Sequence, residues 1–137
     1  MKKILNKNIN LDEYLIKKYN QLNINQILDW IKSFFSELDT HILNKEIDIF
    51  LKEFNDFIKN NSLKKKYEEK YLVKSKISEP KMNNLYKSFR CAFKVINDKK
   101  YGLLSMNYIL KYIQYETKSV DITLSARLLQ IQLIEKY

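Results

Sequence analysis

The chain of 137 residues has the length of one domain, and its single cysteine and single histidine exclude a disulfide framework and a four-ligand structural zinc site. One glycine and one proline are too few for the frequent turns of an antiparallel β protein, so we predict an all-α fold, a compact irregular bundle of six to seven helices spanning residues 1–137. The formal net charge of +9 makes a polyanion the first kind of partner to consider.

Apolar residues recur at helical spacing through the first half of the chain and predict three helices, each preceded by an asparagine that can cap it. The predicted caps are Asn10, Asn25 and Asn44, and the pair Asn60 and Asn61 is typical of the end of the third helix. The apolar faces carry Leu11, Tyr14, Leu15 and Tyr19, then Ile27, Leu28, Ile31, Phe35 and Leu38, and then Ile47, Phe50, Leu51, Phe54 and Ile58.

A lysine-rich stretch follows at residues 62–76, where Leu63, Tyr67 and Tyr71 recur every four residues and predict a short exposed helix. Residues 78–80, a serine and a glutamate followed by proline, predict the start of a fifth helix. Its apolar face carries Met82, Leu85, Phe89, Phe93 and Ile96.

The C-terminal third is predicted to hold two more helices. A turn at 97–100 precedes a sixth helix at 103–115, whose one side carries Leu104, Tyr108 and Tyr112. Residues 120–125 include β-branched side chains and are predicted to be extended. The apolar residues of the last helix surround nearly its whole circumference, which predicts burial or a protein partner. They are Leu128, Leu129, Ile131, Leu133 and Ile134.

The excess positive charge is concentrated in residues 62–100, which hold twelve basic and four acidic residues, whereas the rest of the chain is close to neutral. Because neutralising phosphates releases counterions, this basic segment predicts sequence-independent binding of nucleic acid. On the predicted fifth helix, Lys87, Arg90 and Lys94 share a face opposite the phenylalanines. The predicted phosphate contacts are Lys64, Lys65, Lys66, Lys70, Lys74, Lys76, Lys81, Lys87, Arg90, Lys94, Lys99 and Lys100.

Two alternatives stay open for this segment, namely a solvated helix face in a lysine-rich chain and a surface that binds an acidic protein. Because lysine dominates over arginine, we expect contacts to the phosphate backbone and little base specificity. DNA is the nucleic acid that we favour over RNA. Tyr67, Tyr71 and Tyr86 could stack on bases if they are exposed, although their helical spacing favours packing in the core.

The chain lacks the residue sets of common active sites, because no nucleophile, base and orienting group can be assembled and there is no glycine-rich phosphate loop. His41 falls in a predicted connection, Cys91 beside an apolar stripe, and Trp30 in a core or interface position. We predict no enzymatic activity, no cofactor and no metal, and the weaker alternative is a small nuclease that uses carboxylates. The acidic residues fall on outer, solvated helix faces, at Asp12, Glu13, Asp48, Glu53 and Asp56.

Two stretches of the chain resemble one known family. Residues 24–34 hold an Ile-Asn pair and then Trp30, followed by an apolar residue and, further on, Phe34. Residues 100–110 place a basic residue before a leucine-serine step and a tyrosine-aliphatic-leucine step, at Leu104, Ser105, Tyr108, Ile109 and Leu110. Both stretches are similar to the helical region of the poxvirus-type viral late transcription factor 3 family.

The resemblance spans residues 23–134 and includes the helix before the second motif, at Leu85, Phe89 and Phe93. Leu103 stands where that family has an aromatic residue, and Met106 where it has a tyrosine. The family usually carries a cysteine-rich zinc ribbon ahead of this region, which the single cysteine of this chain cannot build.

The resemblance implies a non-enzymatic accessory transcription factor of a cytoplasmic DNA virus or virus-like element, with an RNA polymerase or another factor as partner. It therefore implies a cytoplasmic location, and no signal peptide or membrane span is predicted. The alternative function is a structural adaptor or oligomer subunit that contacts no nucleic acid and associates through the C-terminal helix.

Overall fold

The computed structural model describes residues 10–38 and 44–137, and in this part of the chain it contains helices and turns but no strand. The predicted all-α fold is therefore confirmed. No helix within these residues combines the length and the apolar character needed to pass through a bilayer. The seven helices are α1 (Leu11–Tyr19), α2 (Ile24–Glu37), α3 (Lys45–Lys59), α4 (Lys64–Ile77), α5 (Pro80–Lys94), α6 (Lys100–Thr117) and α7 (Val120–Ile134), and a 3₁₀ turn at Asn61–Leu63 joins α3 to α4.

Asparagine side chains begin the first three helices, as predicted, but one of the three predicted caps is wrong. Asn10 and Asn44 each accept hydrogen bonds from backbone N–H groups in the first turn of α1 and α3. The cap of α2 is Asn23 rather than Asn25, because Asn23 forms a reciprocal capping box with Gln26. A glutamine three residues after the cap satisfies a second orphan N–H group, and this favours the earlier asparagine.

The predicted extended segment at 120–125 is wrong, since these residues form the first turns of α7. Ser119 caps this helix by accepting a hydrogen bond of 3.1 Å from the backbone N–H of Ile122. Lys118 ends α6 in the left-handed conformation with φ 53°, so the chain turns back at once. A good cap and a tight reversal outweigh the modest preference of β-branched side chains for strands.

Aromatic rings from α2, α3, α4 and α5 form the centre of the bundle. Phe50 and Phe89 stack with ring centroids 4.2 Å apart and an interplanar angle of 5°. Tyr71 meets Phe89 edge to face at 5.2 Å, so the lysine-rich helix α4 is fastened to the core through this ring. All members of the cluster are buried, namely Phe35, Phe50, Phe54, Phe57, Tyr67, Tyr71, Phe89 and Phe93.

Helices α5 and α6 pack closely through two buried serines. The hydroxyl of Ser88 donates to the carbonyl of Ser105 at 2.7 Å, and the hydroxyl of Ser105 donates to the carbonyl of Ser88 at 2.7 Å. Small side chains at this crossing let the two backbones approach, and the reciprocal bonds satisfy both buried hydroxyls. The relative position of α5 and α6 is thereby fixed.

Two buried hydrogen bonds, as well as apolar contacts, hold helix α7 against α2 and α6. The Trp30 indole donates to the carbonyl of Gln130 at 2.9 Å, and the Gln130 amide donates to the carbonyl of Met106 at 3.2 Å. Burial lowers the pKa of the Arg127 guanidinium, and the Asp12 carboxylate opposes this effect. Trp30 is fully buried, so its predicted core position is confirmed, and the C-terminal part of α7 is buried against its own chain at Ile131, Leu133 and Ile134.

Gly102 is the position where α6 passes closest to α1 and α2. A Cβ atom there would overlap the Tyr19 hydroxyl, which donates to the carbonyl of Lys99, and would lie 2.8 Å from Cγ2 of Ile27. Gly102→Ala is therefore expected to lower the free energy of unfolding by about 1–3 kcal/mol, because overpacking outweighs the better helix propensity of alanine. Urea unfolding measures this, with Lys111→Ala on the exposed side of α6 as the control. A gain in stability for Gly102→Ala would contradict the close approach.

Candidate nucleic-acid interface

Four of the twelve predicted phosphate contacts lie within salt-bridge distance of a carboxylate. Lys70 and Lys74 of α4 reach acidic residues of α3, at 2.5 Å and 3.5 Å respectively. The partner of Lys70, Glu53, is mostly buried and also accepts a hydrogen bond from the Tyr71 hydroxyl, so its predicted solvated position is wrong. The four pairs are Lys64 with Glu68, Lys70 with Glu53, Lys74 with Glu46, and Lys100 with Asp98.

Four other predicted contacts are dispersed over the surface. Lys66 and Lys81 are exposed on α4 and α5, and Lys65 borders a small depression that Glu68 also lines. The Lys99 ammonium donates to the carbonyl of Asn20 at 3.2 Å. These four side chains do not form one site with each other.

The remaining four predicted contacts, Lys76, Lys87, Arg90 and Lys94, line one groove of about 530 Å³. Helix α5 lies between α4 and α6 and supplies three of these side chains, and Lys76 comes from the end of α4. No acidic residue among those that the structure describes lines this groove, which we call the cationic groove. Within residues 10–38 and 44–137, no carboxylate lies within 4 Å of these four basic groups.

The sequence of α5 explains why three cations face the same way. Lys87, Arg90 and Lys94 follow one another at spacings of three and four residues, which places them on one helix face. On the opposite face Phe89 and Phe93 are fully buried in the aromatic cluster. The predicted opposition of the basic face and the phenylalanine face is confirmed.

Cys91 lines the cationic groove, close enough to Lys87, Arg90 and Lys94 for their positive charges to affect the pKa of its thiol. Burial raises the pKa of this thiol, whereas the positive charges of Lys94, Arg90 and Lys87 each lower it. Burial has the larger effect, so the thiol stays protonated at neutral pH and is no nucleophile. Cys91 is buried as predicted, and its surroundings show three positive charges acting on one point.

Arg90 is a partly buried cation of the groove. Its Nε is buried and has no hydrogen-bond acceptor among the described residues. The neighbouring Asn83 donates to the carbonyl of Ser75 at 3.0 Å, but its buried Oδ1 is likewise without a partner in this part of the chain. Arg90 also borders the small depression that Glu68 and Glu69 line, but its guanidinium makes no ion pair within 4 Å among the described residues and can therefore make bidentate hydrogen bonds to a phosphate.

Two tyrosines of α6 complete the cationic groove. The sequence predicts Tyr108 only as a residue of the sixth helix and of the resembling stretch, and it assigns neither tyrosine to nucleic-acid binding. Tyr101 and Tyr108 line the groove beside Leu104. The tyrosines predicted to reach bases if exposed, Tyr67, Tyr71 and Tyr86, are instead buried, which confirms the packing alternative. The signal for the missed pair was their spacing of seven residues on one helix that follows a basic segment.

The residues of the second resembling stretch divide between the core and this groove. Ser105, Ile109 and Leu110 are buried, whereas Leu104 and Tyr108 line the cationic groove. In the first stretch Trp30 is buried. The resembling residues therefore serve mainly to place α2 and α6.

No group of three or more His, Cys, Asp or Glu side chains in the described part of the chain is placed to hold a metal ion, and His41 lies outside the described residues. Comparison of the chain with protein-family models, with curated proteins and with solved structures found no match. The likeness to the viral late transcription factor family stays a prediction.

Proposed function

We propose that this protein is a non-enzymatic accessory transcription factor that binds nucleic-acid phosphates in the cationic groove. The observation that carries the proposal is the convergence of four basic side chains on a groove that no acidic residue of the described part of the chain lines. Elsewhere in the basic segment, lysines are paired with carboxylates, as Lys70 is with Glu53. Four lysines outside the groove are paired with carboxylates, whereas the four basic residues of the groove have no such partner among the residues that the structure describes. The uncompensated positive charge is therefore concentrated in the groove.

Electrostatics supports a bound anion at this place. Four like charges around one concave surface repel each other, and a phosphate between them replaces repulsion by attraction. Release of counterions from the nucleic acid adds a favourable term that depends on salt. Lysines act as point charges and the single arginine can bind bidentately, so the groove favours the phosphate backbone over base edges.

The size of the groove also fits this ligand. Its volume of about 530 Å³ lies in the usual range of ligand pockets, about 300–1000 Å³, so it holds a short stretch of a polynucleotide and not a whole helical turn.

The transcriptional part of the proposal is supported by the resembling stretches at 24–34 and 100–110. They imply late transcription from a cytoplasmic DNA genome, a cytoplasmic location and a polymerase or second factor as partner. DNA is accordingly the nucleic acid that we propose. A candidate contact for the protein partner is the start of α7, where Val120 and Leu124 expose apolar side chains.

The alternative, a structural adaptor or oligomer subunit, rests mainly on the apolar character of the last helix. In the fold, Ile131, Leu133 and Ile134 are buried within the same chain. This burial explains three of the five apolar residues without a second subunit, whereas Leu128 and Leu129 are only partly buried. The alternative therefore rests on fewer residues than the sequence pattern indicated.

The proposal is tested by removing two groove charges and, separately, two charges elsewhere. Lys87→Gln with Lys94→Gln is expected to weaken binding of a fluorescein-labelled DNA oligonucleotide at 50 mM salt about tenfold or more, because each phosphate contact contributes to counterion release. The control, Lys66→Gln with Lys81→Gln, makes the same change in net charge at exposed positions outside the groove and is expected to change the dissociation constant less than about threefold. Fluorescence anisotropy measures binding, and circular dichroism checks helix content.

Equal losses in the two double variants would contradict a localised site and favour a diffuse charge effect. Absence of binding by the unmodified protein at low salt would contradict the proposed function as a whole.

A further inference from the structure

The side of the cationic groove formed by α6 is aromatic. Tyr101, Leu104 and Tyr108 follow one another at helical spacing and line the groove together. Both tyrosines are only partly buried, and neither ring packs against another aromatic ring of the described residues. In contrast, the buried tyrosines of α4 and α5 stack within the core. Tyr101 packs in part against the hydrophobic core, so both rings lie beside the basic side chains without an aromatic partner.

Lysines flank each of these rings. The ammonium of Lys94 lies 4.3 Å from the ring centroid of Tyr101, and that of Lys100 lies 5.4 Å from the same ring. Lys87 and Lys111 lie 5.7 Å and 5.3 Å from the ring centroid of Tyr108. With a rise of 1.5 Å per residue, the seven-residue spacing on α6 separates the two tyrosines by about 10 Å along the helix.

The lysines do not block these rings permanently. A cation–π contact at a partly exposed site contributes only about 0.5–1 kcal/mol, and the lysine stem is flexible. A phosphate that enters the groove offers the ammonium group a charge-assisted hydrogen bond, which is the stronger interaction. Lys94 can then move from the ring of Tyr101 to the phosphate and leave the ring face to a base.

We infer that the ligand of the cationic groove is a single-stranded polynucleotide, whose phosphates contact the four basic residues and whose bases stack on Tyr101 and Tyr108. This inference rests on the proposed function and adds the form of the nucleic acid. Proteins that bind single strands without sequence preference combine a basic groove with aromatic side chains in this manner. Stacking needs only the flat face of a base, which agrees with the scarcity of arginine for reading base edges.

A duplex uses this site less well. Its bases are already stacked on one another and present only their edges in the grooves of the helix, so the tyrosine rings gain nothing from it. Its phosphates can still meet the basic residues at the rim. A duplex and a single strand are therefore expected to share the charge contacts and to differ in the aromatic contacts.

Four labelled probes of equal length separate these contributions, namely single-stranded DNA, RNA of the same sequence, an abasic strand with the same phosphates, and a hairpin duplex. We expect the single strand, with either sugar, to bind at least about fivefold more tightly than the abasic strand for each stacked base. Fluorescence anisotropy at constant salt gives the dissociation constants. The abasic strand is the matched control for charge, since it differs from the DNA strand only in lacking bases.

Variants of α6 assign the preference to the two rings. Tyr101→Ala with Tyr108→Ala is expected to remove most of the preference for bases while leaving the affinity for the abasic strand within about threefold. Tyr101→Phe with Tyr108→Phe keeps both rings and is expected to retain the preference. Tyr115→Ala, at an exposed tyrosine of the same helix that does not line the groove, is the control.

The outcomes distinguish this inference from the proposed function. If the single strand, the abasic strand and the duplex bind equally and the alanine variant changes nothing, base stacking is overturned while phosphate binding stands. If none of the four probes binds, the proposed function fails first. If the alanine variant loses helix content, base stacking is still tested by comparing the affinities of the unmodified protein and of the phenylalanine variant for the single strand and for the abasic strand.

Discussion

Replacing Phe50 by alanine is expected to lower the free energy of unfolding by about 3–5 kcal/mol, the range typical of a large aromatic side chain removed from a packed core. The Phe50 ring is fully buried and stacks on Phe89 at 4.2 Å. It also meets Phe35 at 5.0 Å and Phe93 at 5.5 Å, so its loss removes contacts to two neighbouring helices at once. A domain of this size is commonly stable by only about 5–15 kcal/mol, which makes the loss a large fraction of the total.

Urea unfolding followed by circular dichroism measures this loss, and Phe50→Leu is the matched control. Leucine fills most of the same volume and is expected to cost about half as much as alanine or less, because a smaller cavity remains. A loss below about 1 kcal/mol for Phe50→Ala would show that the aromatic cluster is not the centre of the fold.

The helices themselves could be predicted because their signals are local. In α3, Phe50 and Phe54 recur four residues apart and Asn44 stands at the capping position, so periodicity and cap agree. Where the local signals conflict, prediction failed. Residues 120–125 carry β-branched side chains suited to a strand, yet the cap at Ser119 and the tight reversal at Lys118 favour a helix.

Helix α4 shows what sequence periodicity cannot reveal. Its many lysines suggested an exposed helix, but Tyr67 and Tyr71 are buried because α3 and α5 bring phenylalanines to them. The carboxylates that pair with Lys70 and Lys74 come from α3, many residues earlier in the chain. Which lysines stay uncompensated therefore depends on helix packing and not on the local count of charges.

The candidate site was predicted only in part for the same reason. The basic face of α5 follows from the spacing of Lys87, Arg90 and Lys94 within one helix. The inclusion of Lys76 and Tyr108 depends on α4 and α6 lying on either side of α5, which is a tertiary arrangement. The short list of twelve candidates was thus divided by the fold into four groove residues, four paired lysines and four dispersed ones.

Between 50 and 200 mM monovalent salt, the affinity of the protein for a single strand is expected to fall about 50-fold. The four basic residues of the cationic groove make four phosphate contacts possible, and each contributes about −0.7 to the slope of log affinity against log salt on a single strand. The expected slope is therefore about −2.8. Anisotropy titrations at four or more salt concentrations measure it.

The value of this slope shows whether phosphates contact only the four basic residues of the groove or all twelve predicted residues of the basic segment. If all twelve predicted residues contacted phosphates, the slope would be about −8 and the same change in salt would weaken binding roughly 10⁵-fold. Ion pairs such as Lys70 with Glu53 favour the shallower slope of about −2.8, because a lysine that is already neutralised releases few counterions from the nucleic acid. Lys87→Gln with Lys94→Gln is expected to bring the slope to about −1.4, whereas Lys66→Gln with Lys81→Gln is expected to leave it near −2.8. An equal change of the slope in both variants would mean that the phosphate contacts are spread over the basic surface and are not confined to the cationic groove.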